Sequence, residues 1–272
     1  MKVGVIHYNF PQFTFEQFLD YCPEAGFGYV ELPIGDIWRD GVEDPEKEAE
    51  NVLKMLQARG LQVSALSAGN DFVVLDPEQV TAQVERMKRI IRVANVLQCR
   101  VIRTEGGQPK DSVPENKWVE AMAGCLKRLV EYAEQRDVVL AVDNHGYCTN
   151  DGDRQLALIK AVGSPRVGVN LDTMNYRWFG HDIPTINRFY EILAPFTFHT
   201  HLKDGFGSRE NYRGAALGEG EIIVKVRFPA PVTIPSRVRG RIKLLSVEDI
   251  AGGAQMVWEV TMEREGGDKP VC

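Results

Sequence analysis

Residues 138–146 read Val138-Val139-Leu140-Ala141-Val142-Asp143-Asn144-His145-Gly146. An unbroken apolar run that stops abruptly at polar residues is the pattern of a strand buried on both faces of a parallel sheet. The pattern recurs downstream. Val167–Leu171 runs into Asp172-Thr173-Met174-Asn175, Phe196–His201 into Leu202-Lys203-Asp204, and Lys243–Val247 into Glu248-Asp249. Upstream, Val3–Ile6, Tyr29–Leu32, Gln62–Leu66 and Arg100–Arg103 bring the set to eight runs.

Helical segments separate most of these runs. Glu46–Arg59 follows Pro45 and stops at Gly60, and Glu78–Gln98 follows Asp76-Pro77. Proline at a first helical position and glycine just past the last are the usual start and stop signals. Within the second segment Val80, Val84, Met87, Ile90, Ile91 and Ala94 share one face. Glu115–Arg136 and Asp153–Val162 read the same way. Eight strand–helix units in 272 residues predict an α/β fold, a (β/α)8 TIM barrel, in preference to an open doubly wound sheet. No Pro-, Gly- or Ser-rich linker divides the chain before residue 225, so residues 1–272 are expected to form a single domain. One stretch breaks the pattern. Between Ile222 and Val247 there is no acidic residue, while Pro229, Pro231 and Pro235 forbid a regular helix through 228–236. An irregular segment is expected between strands 7 and 8.

Composition narrows the function. Apolar residues make up 44% and charged residues 26%, with 32 basic against 38 acidic side chains for a net charge of −6. An acidic chain needs a strong local basic face to hold nucleic acid. The arginines near the Pro-rich stretch are isolated, so no nucleic-acid partner is expected. No run of 18 apolar residues is present, which argues against a membrane span, and Met1–Phe10 lacks the features of a secretory signal. Five scattered cysteines without a close pair read as reduced thiols, hence a cytoplasmic protein.

Chemistry in such a barrel sits at the carboxyl ends of its strands. Four consecutive strands are expected to end in Asp143, Asp172, His201 and Glu248. Three carboxylates and an imidazole converging from neighbouring strands make a site for one divalent metal ion, Mn²⁺ or Mg²⁺ by its oxygen content, with Co²⁺ or Zn²⁺ allowed by the imidazole. Residues two apart on a strand face the same way, so Asp143 and His145 share a face, as do His199 and His201. Each residue also has a plainer reading. Asp143 and Asp172 can cap helices, His201 can be a satisfied core histidine, and Glu248 can face solvent. His145 can bind a substrate hydroxyl or be structural. Lys203 can neutralise a substrate oxygen or pair with Asp204. Glu31 and Glu105, ending the second and fourth strands, can line the pocket, and Asn175 follows the sixth. Trp38, Trp178 and Phe72 can cover the apolar face of a sugar or simply pack. Gly218-Glu219-Gly220-Glu221 lacks the spacing of a phosphate-binding loop and reads as a turn.

Five segments, Val142–Gly146, Asn170–Asn175, His199–Asp204, Leu217–Glu221 and Leu245–Glu248, resemble the xylose isomerase-like barrels of sugar and sugar-phosphate isomerases and epimerases. The likeness runs from Lys2 to about Glu221 and resumes at Leu244. It implies that Asp143, Asp172, His201 and Glu248 hold the metal and that Glu248 and Asp143 flank the substrate carbon and move its proton. His145, Asn175, Lys203 and Glu105 are expected, from their places after the strand ends, to contact a small-molecule carbohydrate, with His145 alternatively orienting Asp143. The family's usual fifth-strand ligand is Glu, one methylene longer than Asp143. Relatives of this kind often pair, so a homo-oligomer is compatible with the sequence. A metal ion stabilises the enediolate formed when a proton leaves the carbon beside a carbonyl, while carboxylates carry the proton. The same intermediate losing a β-hydroxyl makes a dehydratase of a keto-polyol the alternative, and a sugar-binding barrel without turnover is a third reading. The DNA-repair branch of the superfamily uses many more histidines than the five of this chain (His7, His145, His181, His199 and His201).

Overall fold

The computed structural model describes residues 3–222 in full and the backbone of 238–250 and 253–264. Its first two-thirds alternate strand and helix: β1 (Gly4–Ile6), α1 (Phe15–Glu24), β2 (Tyr29–Pro33), α2 (Pro45–Gln57), β3 (Gln62–Ser67), α3 (Pro77–Val96), β4 (Val101–Thr104), α4 (Trp118–Gln135), β5 (Val139–Asp143), α5 (Gly152–Val162) and β6 (Val167–Asp172). A short α6 (Asn175–Phe179) and α7 (Ile183–Leu193) then lead into β7 (Thr197–His201). Strands β1 to β7 pair in chain order, every pair parallel. The result is a TIM barrel whose sheet, among the described residues, has seven strands and two free edges, β1 and β7.

Local chemistry accounts for the elements. Pro45 and Pro77 stand at the first turns of α2 and α3, behind N-caps Asp44 and Asp76. Asp76 accepts from Glu78 N and Gln79 N, Asp151 from Arg154 N, and Asp182 from Thr185 N. Each such cap contributes about 1 kcal/mol. Gly163 closes α5 at φ 68°, a left-handed backbone that glycine adopts without a Cβ penalty. Helix α3 buries Val84, Met87, Ile90, Ile91 and Ala94 against the sheet, as its spacing predicts. All six residues of β6 are buried, which is why its apolar run is nearly continuous.

After β7 come a small antiparallel pair, β8 (Asp204–Phe206) with β9 (Arg213–Ala215), and a long hairpin, β10 (Val238–Ile250) with β11 (Gly253–Arg264). The hairpin corrects the expected eighth barrel strand. Lys243–Val247 lies inside β10, antiparallel to β11, and the two strands form a sheet of their own. Glu248 stands opposite Gln255 in that hairpin. Of the stretch expected to be irregular, 223–237 lies outside the described residues and Val238–Lys243 is strand.

The Gly218–Glu221 turn has a structural role. Asp204 accepts hydrogen bonds from the backbone amides of Gly205, Gly218, Gly220 and Ile222, at 2.9 to 3.1 Å. Those bonds hold its carboxyl below the usual range against the opposing effect of burial. No helix among the described residues is long and apolar enough to cross a membrane.

Candidate active site

Sheet register places the polar residues. Asp143 on β5 stands opposite Asn170 on β6, Asn170 opposite His199 on β7, and Asp172 opposite His201. Ser67 on β3 pairs with Arg103 on β4. Side chains two residues apart share a face, so these residues form a polar belt inside the barrel.

The belt can be followed bond by bond. Arg103 Nη1 donates to Ser67 Oγ at 2.8 Å, and its Nε donates to Asp143 Oδ2 at 3.0 Å, joined there by Nη2. Asn170 Nδ2 donates to the other oxygen, Asp143 Oδ1, at 2.6 Å. The amide oxygen of Asn170 therefore faces His199, whose Nδ1 donates to it at 2.7 Å. His201 Nε2 meets Glu31 Oε2 at 2.6 Å, and its Nδ1 lies 3.6 Å from Asp172 Oδ2. Lys203 Nζ is 2.7 Å from the same Asp172 oxygen.

Charges in the belt are mutually compensated. Burial opposes ionisation of Asp143, but the Arg103 guanidinium, the His201 charge and the two hydrogen bonds outweigh it and hold the carboxyl below its ordinary range. Burial works against the charged forms of Arg103, Lys203 and His201 as well, and is outweighed in each case by neighbouring carboxylates, so all three are raised. His201 reaches about 9 and is an imidazolium at neutral pH. His199 moves the other way, because burial dominates, and stays neutral. Two buried carboxylate oxygens, Glu31 Oε1 and Asp172 Oδ2, accept no hydrogen bond. The second is in ion-pair range of Lys203 without hydrogen-bond geometry.

The residues singled out in the sequence divide as follows. Asp143, Asp172 and His201 come together in the barrel mouth. Glu248 belongs to the separate hairpin. Asp143 is fully buried, with both oxygens taken by Arg103 and Asn170. Asp172 does part of the capping its plainer reading expects, since Oδ1 accepts from Met174 N and Asn175 N. His145 is half exposed, with Nδ1 3.9 Å from Asp143 Oδ2. Lys203 pairs with Asp172, in place of the expected pair with Asp204, which the backbone amides occupy. Glu105 is partly exposed, 3.9 Å from Arg103. Asn175 Nδ2 is buried without a partner. Phe72 packs in the core, and Trp38 lies under the guanidinium groups of Arg86 and Arg89.

Both oxygens of Asp143 already accept hydrogen bonds, from Arg103 and Asn170, and the side chain of Glu248 lies outside the described residues. Glu31, His199 and His201 do offer one ligand atom each within 4.8 Å of one another. Sequence reading missed Arg103 and Asn170 altogether. A signal existed, since Asn170 lies two residues before Asp172 and Arg103 two residues before Glu105, on the same strand face in each case. A cavity of about 1160 Å³ runs along the seam between β1 and β7, lined by Ile6, Tyr8, Glu31, His199, His201 and Lys203 among others.

Comparisons with known proteins agree with this architecture. A structure of IOLI protein with a bound zinc atom shares 18% identity over 82% of this chain and 81% of its own, with a TM-score of 0.66. D-psicose 3-epimerase in the presence of D-fructose shares 16% over 82% and 77%, with a TM-score of 0.65. The probable 3-DHS dehydratase AsbF of Bacillus anthracis shares 18% over 75% and 74%, with a TM-score of 0.60. Such low identities establish the fold alone. A separate likeness, 44% over 61 residues, is to 3-hydroxyacyl-thioester dehydratase Z of Mycobacterium tuberculosis; it takes in 22% of this chain and spans about 40% of that protein's length. The profile of xylose isomerase-like TIM barrels matches residues 19–229, most of the molecule, and the chain belongs to that family.

Proposed function

We propose that the barrel is an isomerase or epimerase of a small sugar, keto-polyol or sugar phosphate, working by proton transfer through an enediolate. One observation carries this reading: in the mouth of a xylose isomerase-like barrel, a buried carboxylate oxygen free of hydrogen bonds, Asp172 Oδ2, lies beside a lysine that lines the cavity. Lys203 leaves Asp172 for the substrate's carbonyl oxygen, where its charge favours the oxyanion. Asp172, relieved of its cation, takes the proton from the neighbouring carbon. Arg103 keeps Asp143 ionised and fixed, and Asn170 transmits that fixation to His199. A divalent cation bound in the mouth would add Lewis-acid stabilisation of the same enediolate. Four buried thiols, Cys22, Cys99, Cys125 and Cys148, all unpaired, support the cytoplasmic reading.

The test is ¹H NMR in D₂O with a panel of ketoses and ketose phosphates. Exchange at the carbon beside the carbonyl, reduced about 100-fold or more in Asp172→Asn, supports the reading. Loss of exchange in Glu248→Gln with Asp172→Asn unaffected returns the base role to Glu248. Net loss of water from the substrate identifies a dehydratase, and tight binding without exchange a sugar-binding barrel.

A further inference from the structure

We propose that the hairpin of β10 and β11 is a dimerisation surface, its apolar face packed across a two-fold axis on the same face of a second copy of this chain. The hairpin's register sorts its sequence onto two unlike faces. On one, Ile242 stands opposite Val260, Leu244 opposite Trp258 and Val247 opposite Met256. On the other, Arg239 stands opposite Glu263 and Lys243 opposite Glu259. Cross-strand pairs of opposite charge suit a face left in water. The register shift between Leu244 and Ser246 preserves this sorting. Strict alternation past Leu244 would bring Ser246 onto the apolar face and send Val247 to the charged one. The extra residue, Leu245, resets the phase, which matters only for a strand with one face to bury.

Among the described residues β10 and β11 pair with no other strand, and no other element packs along them. A two-stranded hairpin by itself is marginal in water. The seam between β1 and β7 is a poor match for the apolar face, because Glu31, His201 and Lys203 line it and would be cut off from water. A lipid or nucleic-acid surface is not favoured either, since residues 238–264 hold four basic and four acidic residues and so no net charge. A second copy fits in charge and in area. Asp249, opposite Ala254, marks the turn end of the apolar face, and Arg264, opposite Val238, marks the far end. A two-fold axis perpendicular to the strands packs the hairpins antiparallel and sets each Asp249 end over an Arg264 end. The six apolar residues above, Trp258 among them, offer roughly 500–800 Å² per copy, near the about 800 Å² per partner of a stable interface.

The dimer does not depend on the reaction proposed above, because association is read without substrate. Sedimentation equilibrium of the full chain at about 1–100 μM is expected to show a dimer with a micromolar or tighter Kd. Trp258→Glu should weaken association about 100-fold or more, and Arg241→Gln, on the charged face, should leave it unchanged. Charge reversal keeps the test independent of a misfolded variant. Asp249→Arg should weaken the dimer, and Asp249→Arg combined with Arg264→Asp should restore it. The amides of β10 and β11 should gain hydrogen-exchange protection as the dimer forms. A monomer over the whole concentration range overturns the proposal, as does a dimer that Trp258→Glu and Asp249→Arg leave intact. Hairpin amides protected in a monomer would mean that the chain's own barrel covers the face. Binding to phosphatidylcholine vesicles without dimerisation would mean that lipid does. Either result overturns the proposal as well.

Discussion

Glu31 on β2 and His201 at the end of β7 meet at 2.6 Å across the barrel mouth, 170 positions apart in the chain. Among the described residues no backbone pairing joins β1 to β7, and there the polar belt is bridged by side chains. The contact brings the edge of the seam and the candidate active site into one electrostatic unit. Glu31→Gln should destabilise the metal-free protein by about 1–3 kcal/mol, the cost of weakening a buried charged hydrogen bond. Urea unfolding monitored by circular dichroism measures it.

Arg103 and Asp143 are a buried ion pair, 4% and 0% exposed. Removing one partner of such a pair leaves an uncompensated buried charge, worth about 3–5 kcal/mol. Arg103→Met should show a loss of that size. The double variant Arg103→Met/Asp143→Asn should recover a good part of it, because the stranded charge is gone. Equal losses in single and double variants would show that packing, not charge, makes the difference.

Asp143→Glu restores the carboxylate usual in this family at the fifth strand. On sequence grounds alone the change looks benign and even activating. The structure leaves no room for the extra methylene, since Asp143 has no exposed surface and is gripped by Arg103 and Asn170. A loss of about 1–3 kcal/mol from overpacking is expected, with no gain in solvent-deuterium exchange. A stable variant with faster exchange would refute this.

Asp204 organises the turn through 218–222 by accepting four backbone amides. Its carboxyl is held below the ordinary value, so its contribution is present above the unfolded pKa, about 3.9, and is lost as pH falls through the lower folded value. The amides of Gly218, Gly220 and Ile222 should therefore lose hydrogen-exchange protection at acid pH before the core of the barrel does. Asp204→Asn should remove that protection at neutral pH. Gly220→Ala should do likewise, since a Cβ there overlaps Asp204 Oδ1 and the Gly205 amide. Protection retained in both variants would mean that other contacts hold the turn.

Much of the architecture was already written in the chain. The seven parallel strands, the Pro-led starts of α2 and α3 and the buried stripe of α3 follow from period, caps and side-chain shape, all local properties. Asp172 and His201 were legible as strand-end residues for the same reason. Tertiary structure decided the rest. Whether Asp143 is a free ligand depends on Arg103, 40 positions away, and whether Lys203 faces Asp204 or Asp172 depends on the register of β6 against β7. Lys243–Val247 has the local pattern of a barrel strand, yet it pairs with β11, because a short apolar run carries no information about its hydrogen-bonding partner. The partners of charged groups and strand edges are set by long-range geometry, and at this site that geometry fixes which carboxylates are already neutralised.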